Sequence, residues 1–183
     1  MLRYSKFSII TGLICAVAAQ AQEVKAFKMS HGRSVVTLDL PPIDRIANRG
    51  AAYALAMDQG GSTVTFKAPF QSVAVSFDWG RSDKFEAAWN VDVEEGSPHL
   101  AHDTGFTRHV TYKVKKNDWY VASGTAQDRA DTWIFYTKVL KSGDALVRVQ
   151  YTLSYASDED LKENKPGFDK LIERSQKTIK LAP

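Results

Sequence analysis

The fold is decided by residues 118–180, which read DWYVASGTAQDRADTWIFYTKVLKSGDALVRVQYTLSYASDEDLKENKPGFDKLIERSQKTIK. Three segments of this stretch are rich in β-branched and aromatic residues, a composition typical of strands. The predicted strands are Trp119–Gly124, Trp133–Leu140 and Ala145–Tyr155. We expect the rest of the chain to pack on this stretch.

The third predicted strand alternates over eleven residues. Val147, Val149, Tyr151, Leu153 and Tyr155 share one face, and Leu146, Arg148, Gln150, Thr152 and Ser154 share the other. This period of two is typical of a strand with one buried face. The segment before it, Lys141–Asp144, contains Gly and Asp, which accept the backbone angles of tight turns. The second and third strands are therefore predicted to form an antiparallel hairpin.

A helix is predicted to follow, from Phe168 to Lys180. Its apolar stripe, with one serine, consists of Phe168, Leu171, Ile172, Ser175 and Ile179, which recur at the period of an α-helix. Pro166 and Gly167 favour a helix entry. We expect the apolar side chains of this stripe to point against Val147, Val149, Tyr151 and Leu153. The chain is thus predicted to be α+β, a mostly antiparallel β-sheet packed against a C-terminal helix.

The segments WYVASG and IFYTKVL, the long alternating strand and the terminal FDKLIERSQKTI together resemble the C-terminal half of Mog1/PsbP-like domains. The resemblance covers residues 118–180, about the last third of the chain. A similar ending occurs in small exported alphaproteobacterial proteins of unknown function. The resemblance implies an antiparallel sheet flanked by helices and binding or assembly roles, and it implies no enzymatic activity.

Further strands are predicted upstream of this stretch. They are Val24–Met29, Ser34–Leu40, Ala52–Met57, Thr63–Lys67, Ser72–Trp79, Phe85–Val93 and Thr107–Val114. A second, short helix is predicted at Ile43–Asn48, although residues 43–58 also fit a longer helical stripe interrupted by Gly50. Gly32 favours a hairpin between the first two strands.

The N-terminal 21 residues are predicted to be a secretory signal peptide. Arg3 and Lys6 precede a short apolar run, and Ala19-Gln20-Ala21 is a small-residue cleavage site. The alternative is a buried N-terminal helix. Under the signal-peptide interpretation, residues 22–183 form a single globular domain in the periplasm or outside the cell, with no membrane insertion after cleavage.

Removal of this segment changes the composition. The one cysteine, Cys15, is lost, so the processed chain has no disulfide and no cysteine ligand. The 24 basic residues fall to 22 with the loss of Arg3 and Lys6, against 21 acidic residues, so the net charge falls to about +1. A charge this close to zero gives no long-range attraction to nucleic acid, which we therefore do not expect as a partner.

A histidine-rich loop is the first candidate site. His99, His102, Asp103 and His109 fall within eleven residues. Imidazole and carboxylate ligands at such spacing can hold Zn²⁺ or Cu²⁺, and otherwise the segment is a solvated polar loop. No nucleotide-binding, zinc-protease or EF-hand motif is present in the sequence, so no other cofactor is expected.

The tryptophans are the second candidate, because aromatic side chains along a sheet can stack on ligands. Trp79 and Trp89 lie on predicted strands and are the proposed ligand-binding pair; the alternative is that they belong to the core.

Two classes of function follow. The first is an exported, non-enzymatic binding or accessory protein with a protein or small-molecule partner in the cell envelope. The second is a metal-dependent or hydrolytic enzyme that uses the histidine cluster. They are distinguished by whether those side chains converge on one point.

Overall fold

The computed structural model describes residues 25–40, 55–57, 63–67, 71–77, 82–95, 106–129 and 131–182. The strands within these ranges are β1 (Lys25–His31), β2 (Ser34–Leu40), β3 (Leu55–Met57), β4 (Thr63–Lys67), β5 (Gln71–Ser76), β6 (Phe106–Lys115), β7 (Trp119–Asp128), β8 (Asp131–Ser142), β9 (Ala145–Tyr155) and β10 (Lys180–Ala182). The helices are a short 3₁₀ turn at Ser82–Lys84, α1 (Phe85–Asp92) and α2 (Asp158–Gln176). The predicted signal peptide and the predicted helix Ile43–Asn48 lie outside these ranges.

Two antiparallel sheets make up the described part of the protein. The larger has seven strands in the order β3-β4-β5-β9-β8-β7-β6, and the smaller has the order β1-β2-β10. All described strand pairs are antiparallel. The predicted α+β class with a mostly antiparallel sheet is therefore confirmed.

The main core lies on one face of the large sheet. There α2 and the small sheet pack together against β5 and β9, and the buried members include Val75, Val149, Leu153, Phe168 and Ile172. The predicted contact between the helical stripe and the alternating strand is confirmed. Ile179 is also buried in this cluster, but it follows the helix instead of belonging to it.

The boundaries of α2 differ from those predicted. The helix begins ten residues earlier because Ser157 caps it, its hydroxyl accepting a hydrogen bond from Asp160 N at 3.2 Å. The Asp160 carboxylate also accepts from Ala156 N at 3.3 Å, one residue before the cap, which further fixes the start of the helix. The predicted entry at Pro166 is wrong, and Pro166 lies inside the helix. The helix ends at Gln176, and Lys180, predicted to be its last residue, begins β10, in which Leu181 pairs with Val36.

The predicted strand Phe85–Val93 is wrong, because Phe85–Asp92 forms α1. Phe85, Ala88 and Trp89 lie on one side of the helix and pack against Tyr120 and Leu146 on the second face of the large sheet. Phe85 and Trp89 fit both the helical period and alternation, whereas Ala88 shares their side only in a helix. The intervening Glu and Ala residues are good helix formers, and they favour the helix.

Two hairpins confirm the turn predictions. Gly32 joins β1 to β2 and Gly143 joins β8 to β9, with φ angles of 60° and 55°. Both angles are in the left-handed region, which favours glycine. The second turn is shorter than predicted, because Lys141 and Ser142 continue β8. The strand that begins at Trp119 is longer than predicted: it passes through Gly124 and ends at Asp128.

Candidate functional site

A polar groove lies on the same face of the large sheet as α2, towards the edge strand β6. Strand pairing aligns four residues across four strands: Thr107 pairs with Gln127, Gln127 with Thr132, and Thr132 with Tyr155. Neighbouring strands lie about 4.8 Å apart, so this row is about 14 Å wide. It provides two hydroxyls, an amide and a phenol along one line.

The next row adds His109 and Thr125, which are paired across β6 and β7. We call the surface formed by both rows the β7 groove. It borders an open cavity of about 160 Å³, lined by Arg108, Ala126 and the six residues of the two rows, Thr107, His109, Thr125, Gln127, Thr132 and Tyr155. Of these six, three differ from the others in exposure. Thr107, His109 and Gln127 are exposed, and the other three are half-buried. The lining can therefore both donate and accept hydrogen bonds towards solvent.

Some of this hydrogen-bonding capacity is already used. The Gln127 amide nitrogen donates to the Arg129 carbonyl at 3.0 Å, an interaction that fixes the orientation of the amide. At the outer wall, His109 Nδ1 lies 3.2 Å from Glu95 Oε2, with the two side chains 70% and 51% exposed. Glu95 Oε1 also accepts from Val110 N at 3.3 Å, so this carboxylate is held against the edge of β6.

The groove surface continues along β7 towards Ser123. Tyr112 and Tyr136 pair with Ser123 from opposite sides. Tyr112 is 55% exposed, the large aromatic side chain with the most exposure among the described residues. The Tyr136 hydroxyl donates to Gln176 Oε1 of α2, and burial, with a smaller contribution from nearby Tyr112, raises the pKa of Tyr136 to about 12. This tyrosine is therefore neutral at physiological pH.

A buried charged cluster lies on the opposite face of the sheet, beneath α1. Asp92 Oδ1 is 3.0 Å from Arg148 Nη2, and the Tyr120 hydroxyl donates to Asp92 Oδ2 at 2.7 Å. The Asp92 side chain is 4% exposed. Burial raises the pKa of Asp92 above its ordinary value, and Arg148 opposes this shift. Burial also raises the pKa of Tyr120, and the adjacent Asp92 raises it further.

Arg108 extends the cluster towards β6. Its Nη1 donates to the Val91 carbonyl at 2.7 Å, and its guanidinium lies 5.3 Å from the ring centre of Phe135. The C-terminal end of α1 is thus attached to β6, β7 and β9 by polar contacts. We interpret the cluster as the anchor that holds α1, and the Glu95 segment after it, against the sheet.

The sequence-predicted site residues are only partly described. His99, His102, Asp103 and Trp79 lie outside the described residues, so the convergence of the histidine cluster stays a prediction. His109 is on the wall of the β7 groove. Within the described ranges, no three His, Cys, Asp or Glu side chains come together as a metal-binding group. Glu95 and His109 are the pair that would contribute to one.

Trp89 is on α1, so its predicted position on a strand is wrong. Its ring packs edge-on against Tyr120 with centroids 5.3 Å apart, and it is half-buried. Lys115 Nζ lies 5.5 Å from the Trp89 ring centre. A ligand-binding role for the exposed part of this ring stays a prediction.

Sequence reasoning missed the row through Gln127 and the Asp92–Arg148 pair. The row cannot be read from one strand, because it is a property of register across four strands. Arg148 did carry a signal: it lies between Leu146 and Gln150 on a strand whose first face is already apolar. A charged residue on the second face of such a strand indicates a buried partner if that face is also covered.

The geometry defines an α+β protein with a polar groove on one sheet face and a helix anchored on the other. No protein-family model and no curated protein matches the chain. Among solved structures, the chain is similar to the Ran-binding protein Mog1p of Saccharomyces cerevisiae, with 9% identity over 87% of this chain and 96% of that one and a TM-score of 0.47. It is also similar to PA94, a Pseudomonas aeruginosa protein of unknown function, with 11% identity over 82% and 94% and a TM-score of 0.38.

The first of these structures carries the Mog1 name, so the resemblance stated for the C-terminal third recurs in the structure comparison. Both TM-scores are below 0.5. Among the described residues, no helix is long and apolar enough to cross a bilayer.

Proposed function

We propose that the protein is an exported binding or accessory protein that holds its ligand in the β7 groove and catalyses no reaction. The observation that carries this proposal is the cross-strand row Thr107, Gln127, Thr132 and Tyr155, with His109 and Thr125 beside it. Binding sites are concave surfaces in which a few placed polar groups fix the orientation of a ligand. The β7 groove has this form.

The chemistry of the groove favours binding over catalysis. A general base must reach, by a hydrogen bond, the group that it deprotonates. Among the described residues, the hydrogen-bond partner of the His109 ring is Glu95, at 3.2 Å, and no hydroxyl nucleophile is hydrogen-bonded to it. The buried Asp92 belongs to the other face of the sheet, where Arg148 and Tyr120 occupy both of its oxygens.

The proposed location is the cell envelope or the medium. It is supported by Arg3 and Lys6, the apolar run after them, and the Ala19-Gln20-Ala21 cleavage site. A protein or small molecule of that compartment is the proposed partner.

Co-purification tests the proposal. The tagged protein is recovered from the periplasm as wild type and as Gln127→Ala, Tyr155→Ala and Lys170→Ala variants. Lys170 is exposed on α2 and is the matched control. We expect a protein or small molecule, identified by mass spectrometry, to be retained by wild type and Lys170→Ala and lost from the two groove variants. Equal retention by all four proteins would contradict the proposal.

A second candidate function, a metal-dependent enzyme, is favoured by one observation. Glu95 and His109 place a carboxylate and an imidazole within 3.2 Å at the groove wall, and the sequence between them contains His99, His102 and Asp103. Titration calorimetry with Zn²⁺ and Cu²⁺ tests it. Binding that is lost in His109→Ala and Glu95→Gln would support a metal centre, and an absence of heat in the wild type would remove it.

A further inference from the structure

We propose that the ligand of the β7 groove is a neutral oligosaccharide. This inference rests on the proposed function, since it names the class of ligand held by the same groove. It is carried by three features of the groove: its position on a sheet face, its lack of net charge, and its mixture of hydroxyl, amide and aromatic groups.

The position on a sheet face determines how a ligand can be recognised. The floor is β7, which is paired along its length with β6 on one side and β8 on the other. Its backbone N–H and C=O groups are therefore used in the two ladders. A peptide that binds by adding a strand needs a free sheet edge, and β7 itself has none. Recognition there must come from side chains.

The outer edge of β6 is also obstructed at its centre. Glu95 accepts a hydrogen bond from Val110 N, and the register of β6 shifts between Val110 and Tyr112. A bulge and an edge N–H group covered by another segment are features that discourage strand addition. An extended peptide is therefore the less suitable occupant of this side of the molecule.

The charge of the lining excludes a strongly ionic ligand. Thr107, Thr125, Thr132 and Gln127 are uncharged, and the Glu95 carboxylate at the outer wall lies beside His109. Arg108 borders the groove through its position on β6, but its guanidinium binds the Val91 carbonyl and lies beside Phe135, on the side of α1. A phosphate or carboxylate ligand would meet no directed cation from these side chains.

The remaining groups match a sugar. Threonine hydroxyls and the Gln127 amide can each donate and accept hydrogen bonds, as a ligand with many hydroxyls requires. Tyr155 at one end of the row and Tyr112 further along provide aromatic surface with a polar tip. The cavity of about 160 Å³ is below the roughly 300–1,000 Å³ of pockets for drug-sized ligands. One sugar ring would occupy it, and adjoining rings would follow β7 towards Ser123.

The experiment uses the purified processed protein on an array of oligosaccharides of glucose, N-acetylglucosamine, galactose and mannose, with acidic oligosaccharides for comparison. The strongest neutral binder is then titrated by calorimetry. We expect Tyr155→Ala to weaken binding at least tenfold and Gln127→Ala to weaken it several-fold, with Lys170→Ala unchanged. Gln127 is exposed, so its variant stays informative if Tyr155→Ala does not fold, which thermal unfolding shows directly.

A photo-crosslinking residue at Gln127 shows whether any ligand enters the β7 groove, whether or not that ligand is a sugar. The inference is overturned if no neutral oligosaccharide binds at millimolar concentration, or if the variants bind as wild type does. In that case, crosslinking of a periplasmic protein at Gln127 would leave groove binding intact and assign a protein ligand. If neither sugar nor protein reaches Gln127, the proposed function fails as well.

Discussion

Gly124 on β7 lies directly against the backbone of His109 on β6. A Cβ atom at Gly124 would be 1.9 Å from the His109 carbonyl oxygen and 2.9 Å from Val110 Cα. This close approach coincides with the register shift between Val110 and Tyr112. Glycine in a strand often marks a bulge or a close backbone approach, and here it marks both.

Gly124→Ala is predicted to destabilise the protein by about 1–3 kcal/mol or more, because the added methyl group must displace backbone. Chemical denaturation measures the effect. Gly167→Ala is the control: Gly167 is inside α2, and its Cβ would meet nothing within 4 Å. That change should leave stability unchanged or raise it by about 0.5–1 kcal/mol. Equal effects at the two glycines would contradict the close approach.

Asp92 is predicted to make stability fall as pH rises from acid to neutral. Its pKa in the folded protein is raised above 3.8, chiefly by burial. The folded state therefore keeps the proton of Asp92 to a higher pH than the unfolded state. The stabilisation that Asp92 contributes is full below pH 3.8 and is lost as pH rises through its pKa in the folded protein. Asp92→Asn lacks this titration. The free energy of unfolding of wild type minus that of Asp92→Asn should decrease with pH in urea titrations.

Glu173 provides a control of opposite sign. The pKa of Glu173 is lowered, chiefly by the hydrogen bond from Lys177. The stabilisation that Glu173 contributes is therefore present above its unfolded pKa and is lost as pH falls through its folded pKa. The difference between wild type and Glu173→Gln should therefore increase with pH, by a small amount because both side chains are exposed. A difference for Asp92→Asn that also increased with pH would show that Arg148, and not burial, dominates.

The packing of α2 predicts a contrast between its two sides. Ile172 is 9% exposed in the main core, whereas Lys170 is exposed. Ile172→Ala should cost about 2–5 kcal/mol, the range for removing a large aliphatic side chain from a core. Lys170→Ala should stay within about 0.5 kcal/mol. Denaturation of both variants measures the contrast, and similar small losses would mean that the helix does not cover the sheet.

Export predicts that the mature protein begins at Gln22. The reason is the Ala19-Gln20-Ala21 site, after which signal peptidase should cut. Intact-mass spectrometry of protein purified from the periplasm gives the N-terminus. As a control, Ala19→Asp with Ala21→Asp should block processing and keep the protein membrane-associated. Mature material that still carries Met1 would refute the export proposal.

The C-terminal half of the fold was predictable because its signals agree with one another. The predicted strand Ala145–Tyr155 matches β9 at both ends, and the Gly143 turn lies where a left-handed residue is needed. Alternation and turn chemistry both act locally there. In α2 the local signals conflict, since Pro166 favours an entry while Ser157 provides a better cap nine residues earlier. The cap and three acidic residues in the first turn prevail.

The candidate site was less predictable for a physical reason. Phe85–Asp92 fits two periods, and the contact of Phe85 and Trp89 with Tyr120 decides between them. Tyr120 belongs to a distant strand, so this contact has no local signature. Similarly, Thr107 and Tyr155 contribute to one groove only because of pairing across β6 to β9. The prediction of Trp89 on a strand failed because its contact with Tyr120 has no local signature. The β7 groove was not foreseen because it depends on pairing across several strands.

The pairing of β10 with β2 has a consequence for biogenesis. Leu181 pairs with Val36, and Thr178 Oγ1 accepts a hydrogen bond from Asp39 N at 2.8 Å across 139 positions. The small sheet therefore cannot close on the ribosome until β10 has emerged, and loop closure over such a distance is slow. Until then the main core, to which Val36 and Ile179 both contribute, is incomplete, so the nascent chain is only partly folded while it is synthesised.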